Sequence, residues 1–145
     1  QDSAGMPSDV HIAIGSTADG VDGFRRSHLD ALTTQQMMAR LRSPQRIARF
    51  ADIQLIALLT ADTDRAAAFV RYTLGDLETA DRELRETVRV FVAEQCNASR
   101  AAGRLYTHRN TLLRRLARAD ELLPRPLAES TVPVAVALEV VRWRG

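Results

Sequence analysis

Apolar positions recur at helical spacing along most of this chain and alternate in strand fashion only near its start. Val10 to Ile14 alternates and predicts a strand stopping at Gly15. Asp19-Gly20-Val21-Asp22-Gly23 reads as a turn, and Phe24 to Leu41 follows with helical spacing in Leu29, Leu32, Met37 and Leu41, until Ser43 and Pro44 break it. Arg46 to Phe50 predicts a short second strand. Asp52 is placed to cap a helix over Ile53 to Thr60, and Asp62 or Thr63 another through Leu74, with Gly75 closing it. Thr79 or Asp81 opens the next helix, on which Leu84, Val88, Phe91 and Val92 share a face. Gln1 to Asp9 lacks periodicity and is expected to be loose.

The most informative pattern begins at Cys96. Asn97 is an N-cap, its side-chain oxygen suited to an orphan amide one turn in, and Ala98 to Leu105 supply a compact helix whose inner face is Ala101, Ala102 and Leu105. Those alanines allow close approach of a second helix. It follows Tyr106-Thr107, with Thr107 or His108 as its cap and Leu112, Leu116, Ala119 and Leu123 as its buried stripe. The opposite face carries Asn110, Thr111, Arg114, Arg115 and Arg118, the amide, hydroxyl and guanidinium groups that bond phosphates and base edges in a major groove. After Pro124 and Pro126 a last apolar segment runs from Val132 to Trp143. Its valines favour strand, but Ala135, Ala137, Leu138 and Glu139 fit a helix beginning near Pro133, which is the reading adopted. A helix apolar almost all round is buried within the chain or against another copy.

The same stretch resembles the C-terminal helix-turn-helix of the PucR/CdaR group of bacterial transcriptional regulators, whose DNA-binding module is Fis-like. The matching residues are Leu84-Arg85-Glu86-Thr87, Cys96-Asn97-Ala98-Ser99, Ala101-Ala102, Arg104-Leu105, His108-Arg109-Asn110-Thr111-Leu112, Arg115-Leu116, Glu121-Leu122-Leu123 and Arg125-Pro126-Leu127. A second, weaker match, Ile14-Gly15 with Gly20 to His28 and Asp30-Ala31, looks like the end of the degenerate GGDEF-like domain that precedes the helix-turn-helix in that family. The resemblance implies a sequence-specific, metabolite-responsive regulator. Arg114 stands where an aromatic is common in the family, adding positive charge to the exposed face. Thr107, Ala119 and Pro124 also depart from the pattern.

Charge distribution sharpens this picture. The net charge is only +2, but residues 82–120 hold nine arginines against four acidic residues, whereas residues 1–81 hold eight against eleven. The basic excess therefore lies in the candidate helix-turn-helix, where it favours a polyanion and makes binding salt-dependent. All twenty basic residues are arginine, so the choice of arginine says nothing by itself about phosphate. One cysteine, Cys96, makes no internal disulfide; it is expected as a small buried apolar residue at a helix end, in a cytoplasmic protein. The longest strongly apolar run, Ile53 to Leu59, is too short for a bilayer, which needs roughly 20 residues. The start at Gln1, without an initiator methionine or leader, reads as a piece of a longer protein.

Catalytic chemistry finds little support. His11, His28 and His108 show no metal-ligand spacing, Asp62-Thr63-Asp64 and Asp19 to Gly23 lack the ligand count of a calcium loop, and the acidic pair of an active cyclase is not visible. The expectation is a mainly α chain that is not an enzyme and needs no cofactor or metal. A C-terminal helix-turn-helix bundle (residues 80–145) follows a helical linker region (51–79) and a small α+β N-terminal remnant of a GGDEF-like domain (1–50). Asn110, Thr111 and Arg114 are expected at base edges of duplex DNA; Ser99, Arg100, Arg109, Arg115 and Arg118 at phosphates; His108 as cap or contact. A homodimer is expected, with an effector acting through an upstream region. The alternatives are a protein-interaction and oligomerisation module, and an effector sensor that no longer reads DNA.

Overall fold

The computed structural model describes residues 10–144; the expectation for Gln1 to Asp9 lies outside them. The architecture is mainly α, with one two-stranded sheet among the described residues. Residues 62–141 make one compact unit, and the described residues outside that span make the other.

In the first unit β1 (Ile12–Ile14) pairs in parallel with β2 (Ile47–Arg49), Ile12 opposite Ile47 and Ile14 opposite Arg49. Parallel strands need a crossover, and α1 (Gly20–Arg40) supplies it. The expected turn over Asp19 to Gly23 is instead the opening of α1, entered from an extended Asp19 through Gly20 at φ +75°. Gly15 lies so close to α1 that a Cβ there would sit 1.9 Å from the carbonyl oxygen of Ser27. The Ser16 hydroxyl donates to Asp30 alongside. β2 runs straight into α2 (Phe50–Leu59), so Asp52 falls in the first turn, where a carboxylate suits the helix dipole, and is not the cap. Ala48, Ile53, Ile56, Met38 and Leu41 are buried. Buried Thr60 accepts from Arg40 at 2.8 Å and donates to the Ile56 carbonyl at 2.6 Å.

The second unit is helical throughout: α3 (Thr63–Leu74), a 3-10 turn (Gly75–Thr79), α4 (Arg82–Ala93), α5 (Ala98–Arg104), α6 (Arg109–Leu122) and most of α7 (Leu127–Trp143). Its caps come from short acceptor side chains. Asp62 takes the amides of Asp64 and Arg65, Asp81 that of Leu84, and Asn97 that of Arg100, at 2.8–3.1 Å. On α4 the buried residues are Leu84, Thr87, Val88 and Val90, with Phe91 and Val92 only half-buried. The face therefore differs from the expected one, because α4 packs against both α5 and α6 and must bury more than one stripe.

α7 begins at Leu127, earlier than expected, its first amide bonded to Asp120 at 2.6 Å. It breaks at Ser130 (φ −130°, ψ 20°). The break answers Pro133, which has no N–H and whose ring opposes the carbonyl four residues back. Beyond it Val134, Ala137, Leu138 and Val140 are buried within the chain, while Val132 stays exposed. Arg89 of α4 holds this helix through Glu139 at 3.4 Å while gripping Glu86 at 2.6 and 2.8 Å.

Gly75 fixes where α3 meets the end of α6. Its φ is +52°, and a Cβ would sit 2.9 Å from Pro124 Cγ and 3.2 Å from the Leu122 carbonyl oxygen. Gly75→Ala is therefore expected to lower the unfolding free energy by about 1–3 kcal/mol, measured by urea titration; an unchanged midpoint would show that this approach relaxes freely.

Candidate nucleic-acid interface

Two glycine-free turns fold α4, α5 and α6 together. At the end of α4 the Cys96 amide reaches back to the Phe91 carbonyl and the Gln95 amide to Val92, both at 2.9 Å. At the end of α5 the Thr107 amide reaches Ala102 at 3.0 Å and the Tyr106 amide Gly103 at 3.2 Å. This paired closure requires a left-handed residue, usually glycine. Here Gln95 (φ +55°) and Tyr106 (φ +50°) take it, and Cys96 (φ +57°) follows in the same conformation. The consequence for Cys96 corrects the expectation: two successive left-handed residues turn its side chain outward, so the thiol is exposed.

Inside the turns, Val90, Ala101, Ala102 and Leu112 form a buried cluster, with Phe91, Ala98, Leu105 and Leu116 packed against it. The two alanines and Leu112 are at most 4% exposed, so α5 and α6 meet without space for a larger side chain. α6 starts after His108, whose backbone is extended but whose side chain makes no cap bond, which leaves the imidazole exposed. Ala119 and Leu123 continue the buried stripe.

The anticipated front face divides in two. Arg109, Asn110, Arg114 and Arg118 are exposed, whereas Thr111 and Arg115 are half-buried at its margin. Arg115 forms an ion pair with Glu83 and so ties α6 to α4. Arg118 pairs with Glu121 at 2.7 Å. On α5, Ser99 and Arg100 are exposed. Arg100 donates to the Glu94 carbonyl at 2.8 Å and to the Gln95 side chain at 3.2 Å, and Arg104 pairs with the Glu94 carboxylate at 2.6 Å. Among the described residues Arg109, Asn110 and Arg114 have no side-chain hydrogen bond or ion pair. The stripe that α6 presents outward is thus Arg109, Asn110, Leu113, Arg114 and Ala117.

Sequence reading missed three members of this surface. Leu113 is 39% exposed beside Asn110 and Arg114, Tyr106 is 99% exposed at the turn, and Arg104 is an exposed cation held by Glu94. The spacing of Leu113 from Asn110 already placed it on the outward stripe; its apolar character directed attention to the core.

The first unit has an open hollow of about 720 Å³ lined by His11, Ala13, His28, Leu32, Gln35 and Met38. Both histidines reach it, yet among the described residues no group of three or more histidine, cysteine or acidic side chains could hold a metal ion. No helix among them is long and apolar enough to cross a membrane.

A capped short helix, a tight left-handed turn and a second helix with a buried back and a free polar front define a helix-turn-helix domain. Residues 84–140 match the PucR C-terminal helix-turn-helix domain. The chain is similar to the purine catabolism regulatory protein of Bacillus subtilis (strain 168), 36% identical over 72 residues, which are 48% of this chain and 14% of that protein. It is also similar to the transcriptional activator PmfR of Paenarthrobacter nicotinovorans, 35% identical over 91 residues, 61% of this chain and 19% of that one. The chain therefore spans less than a fifth of the length of either relative.

Tyr106 is held left-handed without any packing to offset it. Tyr106→Asn, which suits that conformation better, is expected to raise the unfolding free energy by about 1 kcal/mol in thermal or urea unfolding; a loss of stability would mean that the ring supports the turn.

Proposed function

We propose that this chain is the DNA-reading end of a transcriptional regulator, with residues 80–145 as the reading domain and α6 as the helix that enters the major groove. The observation that carries the reading is that Arg109, Asn110 and Arg114 lie free on the front of a helix whose back is locked onto α5. An exposed amide and guanidinium without internal partners are suited to bidentate bonds with adenine and guanine edges. Thr111 adds a hydroxyl to the base-reading set, while Ser99, Arg100, Arg109, Arg115 and Arg118 surround it as phosphate contacts. Arg109 engages a phosphate directly, whereas Arg115 must first leave Glu83.

The relatives are named as a regulatory protein and a transcriptional activator, which supports the same role here. Residues 51–79 would then act as a helical linker and residues 1–50 as the end of a GGDEF-like domain, transmitting a metabolite signal from upstream in a cytoplasmic, non-catalytic regulator. A homodimer on a two-fold symmetric site fits the usual logic of helix-turn-helix readers.

Selection from a pool of random duplexes at two salt concentrations tests the proposal. An enriched sequence motif that survives the higher salt is expected; salt-sensitive retention without enrichment would favour an interaction module with a basic face. On the enriched duplex, Asn110→Ala and Arg114→Ala should each remove about 1–3 kcal/mol of discrimination at one base pair. Arg109→Ala should weaken every sequence alike and shallow the salt slope by about one unit.

Glu94 gives an opposite expectation. Its carboxylate pairs with Arg100 and Arg104, so Glu94→Gln frees Arg104 for phosphate and removes the ion pair of Arg100, which keeps its bonds to the residue 94 carbonyl and Gln95. Affinity should rise several-fold for all duplexes, with a steeper salt slope; a fall in affinity would mean that the pairs orient the arginines and do not compete with DNA.

A further inference from the structure

Leu113 occupies the centre of the outward stripe of α6, one turn from Arg109 and Asn110 and adjacent in sequence to Arg114. It is the apolar member of a row of free polar groups, 39% exposed. One turn further on lies exposed Ala117, whose single methyl leaves the leucine uncovered on that side. Isolated exposed leucines are ordinary on protein surfaces. This one is distinguished by its neighbours, because Arg109, Asn110 and Arg114 lack internal partners among the described residues and so mark the strip that faces a ligand.

We propose that Leu113 is a specificity-determining residue that packs on the C5-methyl group of a thymine, reading the one apolar feature the major groove offers. The proposal rests on α6 being the DNA-reading helix and adds to it the identity of a base. Asn110 and Arg114, a turn apart on the same stripe, bond adenine and guanine edges while the leucine between them excludes water against the thymine methyl. A cytosine at that position has no methyl group and presents an amino group where thymine has O4, so the leucine loses its apolar contact and borders a donor instead. The enriched site should therefore carry a preferred thymine beside the adenine or guanine contacted by its polar neighbours.

The probe is the duplex enriched from the random pool, resynthesised with 2′-deoxyuridine replacing each thymidine in turn. That exchange removes one methyl group and leaves every hydrogen bond in place. One thymidine position in each half-site should lose about four-fold in affinity, the equivalent of one buried methyl-sized group. Leu113→Ala should bind the thymidine and deoxyuridine duplexes equally, and Leu113→Met should restore the difference. Arg114→Ala should weaken binding yet keep the methyl effect. The proposal is overturned if no thymidine is sensitive, or if Leu113→Ala keeps the wild-type ratio at the sensitive position. In both cases continued enrichment by the intact chain leaves the DNA-reading role standing, whereas absence of any enrichment overturns the role and the inference together.

Discussion

Close approach of α5 and α6 is the constraint on which the rest of the second unit depends. Ala101 and Ala102 present almost no side chain, so Leu112 reaches Val90 between them and α4, α5 and α6 share one small core. A core of that size has little surplus, since each methylene contributes only about 0.8 kcal/mol on burial. The turns therefore have to be short, and they are short because Gln95, Cys96 and Tyr106 accept left-handed backbone without glycine. Strain at the turns is offset by the reversed amide bonds to Phe91, Val92, Ala102 and Gly103. Seven residues of α5 would not persist as a helix alone; the core and the Asn97 cap hold them.

Charge follows from the same geometry. Several arginines of the domain find carboxylates: Arg89 with Glu86 and Glu139, Arg115 with Glu83, Arg104 with Glu94. The Glu86 hydrogen bond holds the Arg89 guanidinium above its ordinary pKa against the opposing effect of burial. A raised cation pKa contributes stability that is complete below the unfolded value and lost only above it, so the Arg89 contribution is constant through the neutral range. Arg109, Asn110 and Arg114 on the front of α6 have no such partner among the described residues.

Much of this was legible in the sequence. Caps announced themselves through Asp62, Asp81 and Asn97, and the helical period gave Leu112, Ala119 and Leu123 as the buried stripe of α6. The resemblance of Leu84 to Leu127 to the PucR group located the helix-turn-helix, and the family match over residues 84–140 agrees with it. What escaped was set by tertiary context. Val90 is buried because α4 has neighbours on more than one side, which a single-face reading of its period does not foresee. Cys96 points outward because of a backbone conformation that carries no glycine to signal it. The start of α1 at Gly20 was hidden by two glycines and two aspartates that look like a turn, and the division of arginines into tied and free requires knowing which helices lie side by side.

Backbone amide NMR of the chain, titrated with a duplex enriched from a random pool, would show whether α6 meets DNA sequence-specifically. Shift changes are expected at the front of α6 and the preceding turn, from Tyr106 to Arg118, and at the start of α5, each much larger than with a scrambled duplex. Equal changes with both duplexes, or changes centred on α1 and β1 with α6 unmoved, would contradict that reading.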